Sequence, residues 1–140
     1  MVRSFKTSDL DTIMQIWLSS NRDTHNFIPD SYWISSFDSV KAVIPQSELF
    51  IHEEDDQITG FLGIIDGFIA GFFVRRELRS RSIGLLLLNH AKEKYPKLSL
   101  RVYTKNIKAI HFYQREGFHI TATSIDKSTG EEELLMEWKS

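Results

Sequence analysis

Apolar residues recur along the chain at periods that change from segment to segment, and the changes mark out the elements. Val2 to Phe5 is short and β-prone. Thr7-Ser8-Asp9 offers helix N-cap residue types. Leu10, Ile13, Met14 and Trp17 follow at helical spacing, which predicts a first helix to about Ser20. Asn21 to Pro29 is polar and reads as a loop. A second helix starts near Asp30 or Ser31, with the stripe Trp33, Phe37, Val40 and Ile44, and Pro45 ends it.

The period then shortens to that of strands. Leu49-Phe50-Ile51 leads into the polar turn Glu54-Asp55-Asp56-Gln57, and Ile58 to Ile65 is apolar. Asp66-Gly67 is a strong hairpin dipeptide. Phe68 to Val74 is apolar at nearly every position, as a central strand buried on both faces would be. Arg75 to Ser82 is polar and arginine-rich, Ile83 to Lys94 reads as a helix, and Pro96 breaks it. Leu98 to Tyr103 reads as a strand, and Ile107 to Glu116 as a helix with Gly117 at its C′ position. Phe118 to Ile125 and Glu132 to Trp138 close the chain as two strands around a Ser128-Thr129-Gly130 turn. The order β-α-α-β-β-β-α-β-α-β-β predicts an α/β fold on a mixed sheet. The strand–helix–strand unit from 68 to 103 implies a right-handed parallel crossover.

Composition narrows the function classes. Hydrophobic residues make up 41% and charged residues 26%, which fits a folded domain and excludes disorder. The length of 140 residues and the absence of a Pro- or Gly-rich linker predict one domain over 1–140. Seventeen Lys and Arg against nineteen Asp and Glu give a net charge of −2, so no nucleic-acid partner is expected. There is no cysteine, hence no disulfide, thiolate nucleophile or Cys-ligated zinc, and the five histidines show no pair at metal-ligand spacing. No apolar run is long enough to span a bilayer, and no secretory signal follows Met1. A cytoplasmic location without membrane association is the expectation. A monomer or a homodimer both remain open, because the strand at Glu132 to Trp138 is a potential pairing edge.

Two segments carry candidate chemistry. The first is Val74 to Gly84, joining a strand to a helix, with four arginines at 75, 76, 79 and 81 and the small residues Ser80, Ser82 and Gly84. Unpaired N–H groups at a helix start, with small residues and positive charge, suit a phosphate or pyrophosphate. A merely solvated basic loop is the alternative. The second segment runs from Asn106 to Phe118 and places Ala109, Phe112 and Tyr113 on one helical face. Singly, Tyr113 reads as a core-edge tyrosine and Asn106 as a helix cap.

Together the segments resemble the GNAT superfamily of acetyl-CoA-dependent N-acetyltransferases. Its Arg/Gln-x-x-Gly-x-Gly/Ala loop appears here as Arg79-Ser80-Arg81-Ser82-Ile83-Gly84. Its Asn-x-x-Ala-x-x-Phe-Tyr-x-x-x-Gly-Phe stretch is matched in full by Asn106, Ala109, Phe112, Tyr113, Gly117 and Phe118. Ser82 stands where the family has its key glycine; its hydroxyl would either crowd a phosphate or donate a hydrogen bond to it. Asp23-Thr24-His25-Asn26-Phe27-Ile28 with Tyr32-Trp33 is similar to small bacterial members, some of which acetylate protein lysines.

The resemblance implies a mostly antiparallel sheet with a splayed parallel fourth and fifth strand, flanked by helices. It implies acetyl-CoA as cosubstrate, held by Phe72, Phe73, Val74, Arg79, Ser80, Arg81, Ser82, Ile83, Gly84, Leu85, Asn106, Ala109, Phe112 and Tyr113. It implies an acceptor amine, on a protein lysine or a small molecule, near His25, Phe27 and Tyr32. Tyr113 would protonate the leaving sulfur, and backbone N–H groups near Phe73 and Val74 would stabilise the oxyanion. A lysine amine has a pKa of about 10.4, so deprotonation at pH 7 costs roughly 4–5 kcal/mol. The strand 68–74 has no carboxylate. The base is then a water chain first, His25 second, or a carboxylate such as Asp66 or Glu48. No metal is required. The alternative function is a catalytically weak or inactive CoA-binding module, favoured by Ser80 and Ser82. A P-loop nucleotide site is excluded by the lack of its Gly-Lys-Ser/Thr.

Overall fold

The computed structural model describes residues 1–79 and 82–140. Its strands are β1 (Val2–Ser4), β2 (Glu48–Glu54), β3 (Gln57–Ile65), β4 (Phe68–Val74), β5 (Lys97–Tyr103), β6 (His119–Ile125) and β7 (Glu132–Lys139). Its helices are α1 (Leu10–Thr24), α2 (Asp30–Val43), α3 (Ile83–Lys94) and α4 (Ile107–Arg115). The strands form one sheet in the order β1-β2-β3-β4-β5-β7-β6. The β4–β5 pair is parallel and the other neighbours are antiparallel. This is the mixed α/β architecture the element order predicts.

Side chains alternate across a strand, so each face of the sheet gathers its own core. Phe50, Leu62 and Ile64 pack with Ile83, Leu87, Leu88 and Ala91 of α3, and with Leu98, Leu100 and Val102 of β5. Leu49, Ile51 and Phe61 pack on the opposite face with Ile13, Met14, Ile16 and Trp17 of α1 and Trp33 of α2. The Trp17 and Trp33 rings meet edge to face at 5.9 Å, a geometry worth about 0.5–1.5 kcal/mol beyond burial.

Three differences from the sequence reading have physical causes. α1 continues to Thr24 rather than ending near Ser20. The buried Asn21 side chain donates to the Trp17 carbonyl at 2.9 Å within the helix, and Arg22 pairs with Asp30 at 2.5 Å. Secondly, β4 is not buried on both faces: only Ile69 is buried, Ala70 is exposed, and the rest are half-covered. The strand packed on both sides is β3, buried from Ile58 to Ile64. Its apolar character serves the core, whereas that of β4 serves a gap beside it. Thirdly, the β3–β4 register slips by one residue between Gly63↔Gly71 and Ile64↔Ile69. Ala70 therefore has no counterpart on β3, and the bulge bends β4 at the level where it parts from β5.

Gly60 shows how closely the central strands approach. A Cβ added there would meet the Phe73 carbonyl oxygen at 2.8 Å and Val74 Cα at 3.2 Å, both backbone atoms. Gly60→Ala is expected to destabilise the fold by about 1–3 kcal/mol, measured as a lower denaturation midpoint with unchanged slope. An unaltered midpoint would mean that β3 and β4 can separate at no cost.

Candidate active site

β4 and β5 make one ladder pair, Phe68↔Ser99, with the Ser99 N–H donating to the Gly67 carbonyl at 3.0 Å. Beyond it the strands diverge and leave a cavity of about 520 Å³. Ile69 to Val74 form one wall and Leu100 to Tyr103 the other. Gly84 and Arg79 line it near the start of α3; Asn106, Lys108, Ala109, Phe112 and Tyr113 line it from the α4 segment; Thr24 and His25 close it from the end of α1. Glu133 of β7 completes the lining.

The matched motif explains how α4 positions Tyr113. Gly117 has φ +92°, a left-handed conformation natural to glycine at a helix C′ position. Its N–H donates to the Gln114 carbonyl at 3.2 Å, and the Phe118 N–H to the Tyr113 carbonyl at 3.0 Å. These are the two bonds of a Schellman ending. Phe118, 1% exposed, packs at a tilt against Tyr113 with ring centroids 5.5 Å apart. Phe112 and Phe72 flank the same ring at 5.5 and 6.2 Å. Among the described residues the Tyr113 hydroxyl has no protein hydrogen-bond partner, and burial pushes the phenol well above its ordinary pKa of 10. It stays protonated at any physiological pH.

His25 sits in an aromatic box of Phe27, Trp33 and Tyr103, with centroids at 5.8, 5.8 and 5.1 Å. Its backbone N–H caps α1 on the Asn21 carbonyl at 2.9 Å. Its Nδ1 lies 2.9 Å from Asn21 Oδ1, and its Nε2 lies 3.4 Å from Asn106 Nδ2. Asn21 spends its amide on the Trp17 carbonyl, so its oxygen accepts from His25 Nδ1–H. The network thereby assigns the tautomer, with the lone pair on Nε2 facing the Asn106 amide. Burial, aided by the positive charge of Arg79, pushes His25 down to about 4. The ring is neutral at pH 7.

The arginine-rich loop divides its charges. Arg79 donates to Asp23 Oδ2 at 2.9 Å and to the Val74 carbonyl at 3.1 Å, and Arg76 pairs with Asp23 at 3.1 Å. Arg75 turns away: its Nε donates to the Ile58 carbonyl at 2.6 Å, and it lines a separate polar cleft with Arg3 and Glu53. The α3 start carries Ser82 at φ +61°, ψ 15°, with no side-chain cap bond. Leu86 N–H donates to the Ser82 carbonyl at 3.1 Å, and the N–H groups ahead of it belong to a helix start, which suits an anion.

Of the expected site residues, the cavity gathers His25, Phe72, Phe73, Val74, Arg79, Gly84, Asn106, Ala109, Phe112 and Tyr113. Ser80 and Arg81 lie outside the described residues. Ile83 is wholly buried in the core, leaving only its backbone to the helix start, and Leu85 and Ser82 are not lining residues. Phe27 stands behind the lining, 5.7 Å from Tyr103, and Tyr32 packs on Trp33 at 4.9 Å rather than on the cavity. Asp66, in the β3–β4 turn, and Glu48, which accepts from the Tyr95 hydroxyl, do not line it. Tyr103, Arg101 and Glu133 do, and the sequence reading missed them. Their place in the lining follows from strand pairing between residues far apart in sequence.

The residues present fit acetyl-CoA: an apolar slot between diverging strands for an extended arm, and the N–H groups of a helix start for phosphates. Comparison with known proteins agrees. The model of the acetyltransferase (GNAT) family matches residues 10–118, and the chain belongs to that family. It is 35% identical to the peptidyl-lysine N-acetyltransferase YiaC of Escherichia coli, over 99% of this chain and 96% of the relative. The solution structure of apo YjaB from Escherichia coli superposes with a TM-score of 0.87 at 26% identity, covering 99% of this chain and 96% of that one. The PaiA N-acetyltransferase of Thermoplasma acidophilum, solved with coenzyme A, shares the fold with a TM-score of 0.82 at 21% identity, over 100% and 98%. The protein is an acetyl-CoA-dependent N-acetyltransferase that acts on an amine. Among the described residues no helix is long and apolar enough to cross a membrane.

Two predictions arise from these groups. His25 has its folded pKa below the unfolded value of 6.5, so the unfolded state binds the proton first. Its contribution to stability is complete above pH 6.5 and falls as pH drops toward 4, by on the order of 2–3 kcal/mol. Burial shifts His52 the same way. Thermal melts should lose stability from pH 7 to 4.5, and His25→Gln should flatten the slope; an equally steep slope in the variant would acquit His25. For Ser82→Gly, relief of the left-handed strain is partly offset by a looser unfolded chain, so stability should rise by up to about 1 kcal/mol. Acetyl-CoA affinity measured by calorimetry should hold or tighten; a large loss would identify the serine hydroxyl as a phosphate ligand.

Proposed function

We propose that the protein acetylates lysine side-chain amines of other proteins in a bacterial cytoplasm, as a monomer or homodimer. The observation that carries this reading is the open slot between β4 and β5, with the Tyr113 hydroxyl on its wall and a neutral, oriented His25 at its end. The near-full-length similarity to the peptidyl-lysine N-acetyltransferase YiaC supports lysine as the acceptor.

Acetyl-CoA supplies a thioester whose carbonyl is the electrophile. On the protein side, backbone N–H groups near Phe73 and Val74 face the developing oxyanion. Gly84 and the N–H groups at the start of α3, with Ser82, Ile83 and Leu85, would hold the phosphates, and the sequence motif assigns Ser80 and Arg81 to the same task. Arg79 adds charge there, though it must share it with Asp23. Asn106 orients the arm. Tyr113 donates its proton to the departing sulfur. Burial raises the pKa of the phenol, but the same apolar walls raise that of the thiolate, so the donor and acceptor remain matched.

The amine must be neutral when it attacks. His25, held near pKa 4, accepts a hydrogen bond far more readily than a proton. We therefore assign the proton to water leaving through the open end, with His25 orienting the exit. Phe27 and Tyr32 shape that end from behind His25 and Trp33.

Incubation with acetyl-CoA and a blocked lysine peptide should yield acetyl-lysine, read by mass spectrometry. Tyr113→Phe should lower kcat by about 10²-fold or more and leave acetyl-CoA binding by calorimetry nearly intact. An unchanged kcat would remove Tyr113 from the acid role.

A further inference from the structure

Among the described residues Glu133 is the carboxylate that lines the cavity, and the nearby Asp126 and Glu131, outside the lining, are already satisfied. Asp126 accepts from the Tyr103 hydroxyl at 2.6 Å and from the Ser128 N–H at 2.9 Å. Glu131 pairs with Lys105 at 2.9 Å. Glu133 lines the cavity, and its side chain is 17% exposed. Among the described residues its one ion-pair partner is Arg101 Nε at 3.8 Å, outside hydrogen-bond range, on a side chain that is 53% exposed. Lys108, another lining cation, forms no ion pair with it among the described residues. Burial and the charge of Asp126 push the Glu133 pKa above the ordinary carboxylate value, as expected of an anion short of a close cation.

The surroundings of Glu133 favour an alkylammonium. Glu133 stands directly across from Tyr103 in the β5–β7 ladder, so the two side chains share a face. The Tyr103 ring meets Phe27 at 5.7 Å. Lys105 rests its ammonium 5.1 Å from the Phe27 ring centroid while pairing with Glu131. The chain thus seats one lysine head between this aromatic rim and a carboxylate.

We propose, resting on the lysine-acetylation reading above, that Glu133 selects the acceptor: its carboxylate receives the ammonium of the incoming lysine, whose methylene stem lies along Tyr103 and Phe27. An anion here draws a cationic side chain to the slot and leaves neutral side chains of the same shape unbound. Glu133 is a specificity residue of the encounter complex; the proton still leaves through water.

Glu133→Gln keeps the shape and removes the charge. We expect the KM for a blocked lysine peptide to rise about tenfold or more while the KM for acetyl-CoA stays constant. Calorimetry with CoA present gives a readout independent of turnover: the wild type should prefer the lysine peptide over its norleucine counterpart, and the variant should bind both equally. Glu133→Asp, which retains the charge on a shorter arm, should fall between and serves if the glutamine variant does not fold. Equal peptide KM and equal lysine preference in wild type and variant would overturn the assignment. A wild type that acetylates small amines but no peptide would overturn the protein-lysine reading instead. The same wild-type and variant comparison on that amine then decides Glu133, a raised KM upholding it and an unchanged one overturning it. No transfer to any amine would overturn both.

Discussion

Two neighbouring parallel strands that part after one ladder pair are the constraint on which the active half of the molecule depends. Backbone N–H and C=O groups rarely stay unpaired inside a protein, because each unmet group costs about 1–3 kcal/mol. β4 and β5 leave a row of them beyond Phe68 and Ser99. The fold tolerates this because β3 anchors β4 from the other side, and β7 anchors β5 along its whole length. The bulge at Ala70 turns β4 away. The gap is held open by good pairing around it, and it offers an extended ligand the hydrogen bonds that a missing strand would have made.

The same economy governs the side chains around the gap. Tyr113 is fixed by the geometry of the helix end behind it, Gly117 supplying the turn and Phe118 the weight that pins the ring. His25 is fixed by two asparagines, Asn21 from α1 and Asn106 from the start of α4. Both rings sit where burial holds them in one protonation state, the phenol with its proton and the imidazole uncharged.

Much of this was legible in the chain. The sequence pattern located the seven strands and four α-helices of the described residues, and Gly117 marked the end of α4 by local chemistry, whereas Tyr113 was singled out only through the family resemblance of the Asn106-to-Phe118 stretch, reading by itself as a core-edge tyrosine. Three things were not legible, and all involve distance in sequence. β4 reads as a buried strand because Phe72, Phe73 and Val74 are apolar, yet its half-exposure depends on β5 diverging. The arginines at 75, 76 and 79 read as one positive patch, yet Asp23 and the Ile58 carbonyl divide them. Glu133 looks like any strand glutamate until the β5–β7 register sets it across from Tyr103.

Asp23 ties the two ends of the slot together. It lies in the last turn of α1, two residues before His25, and it grips Arg76 and Arg79 from the loop ahead of α3. One carboxylate thus bridges the loop ahead of α3 and the helix end that carries His25, two segments far apart in sequence. Any shift of that loop is passed to the His25 end through this ion pair, and by the reciprocity of linkage a shift at either end would be felt equally at the other.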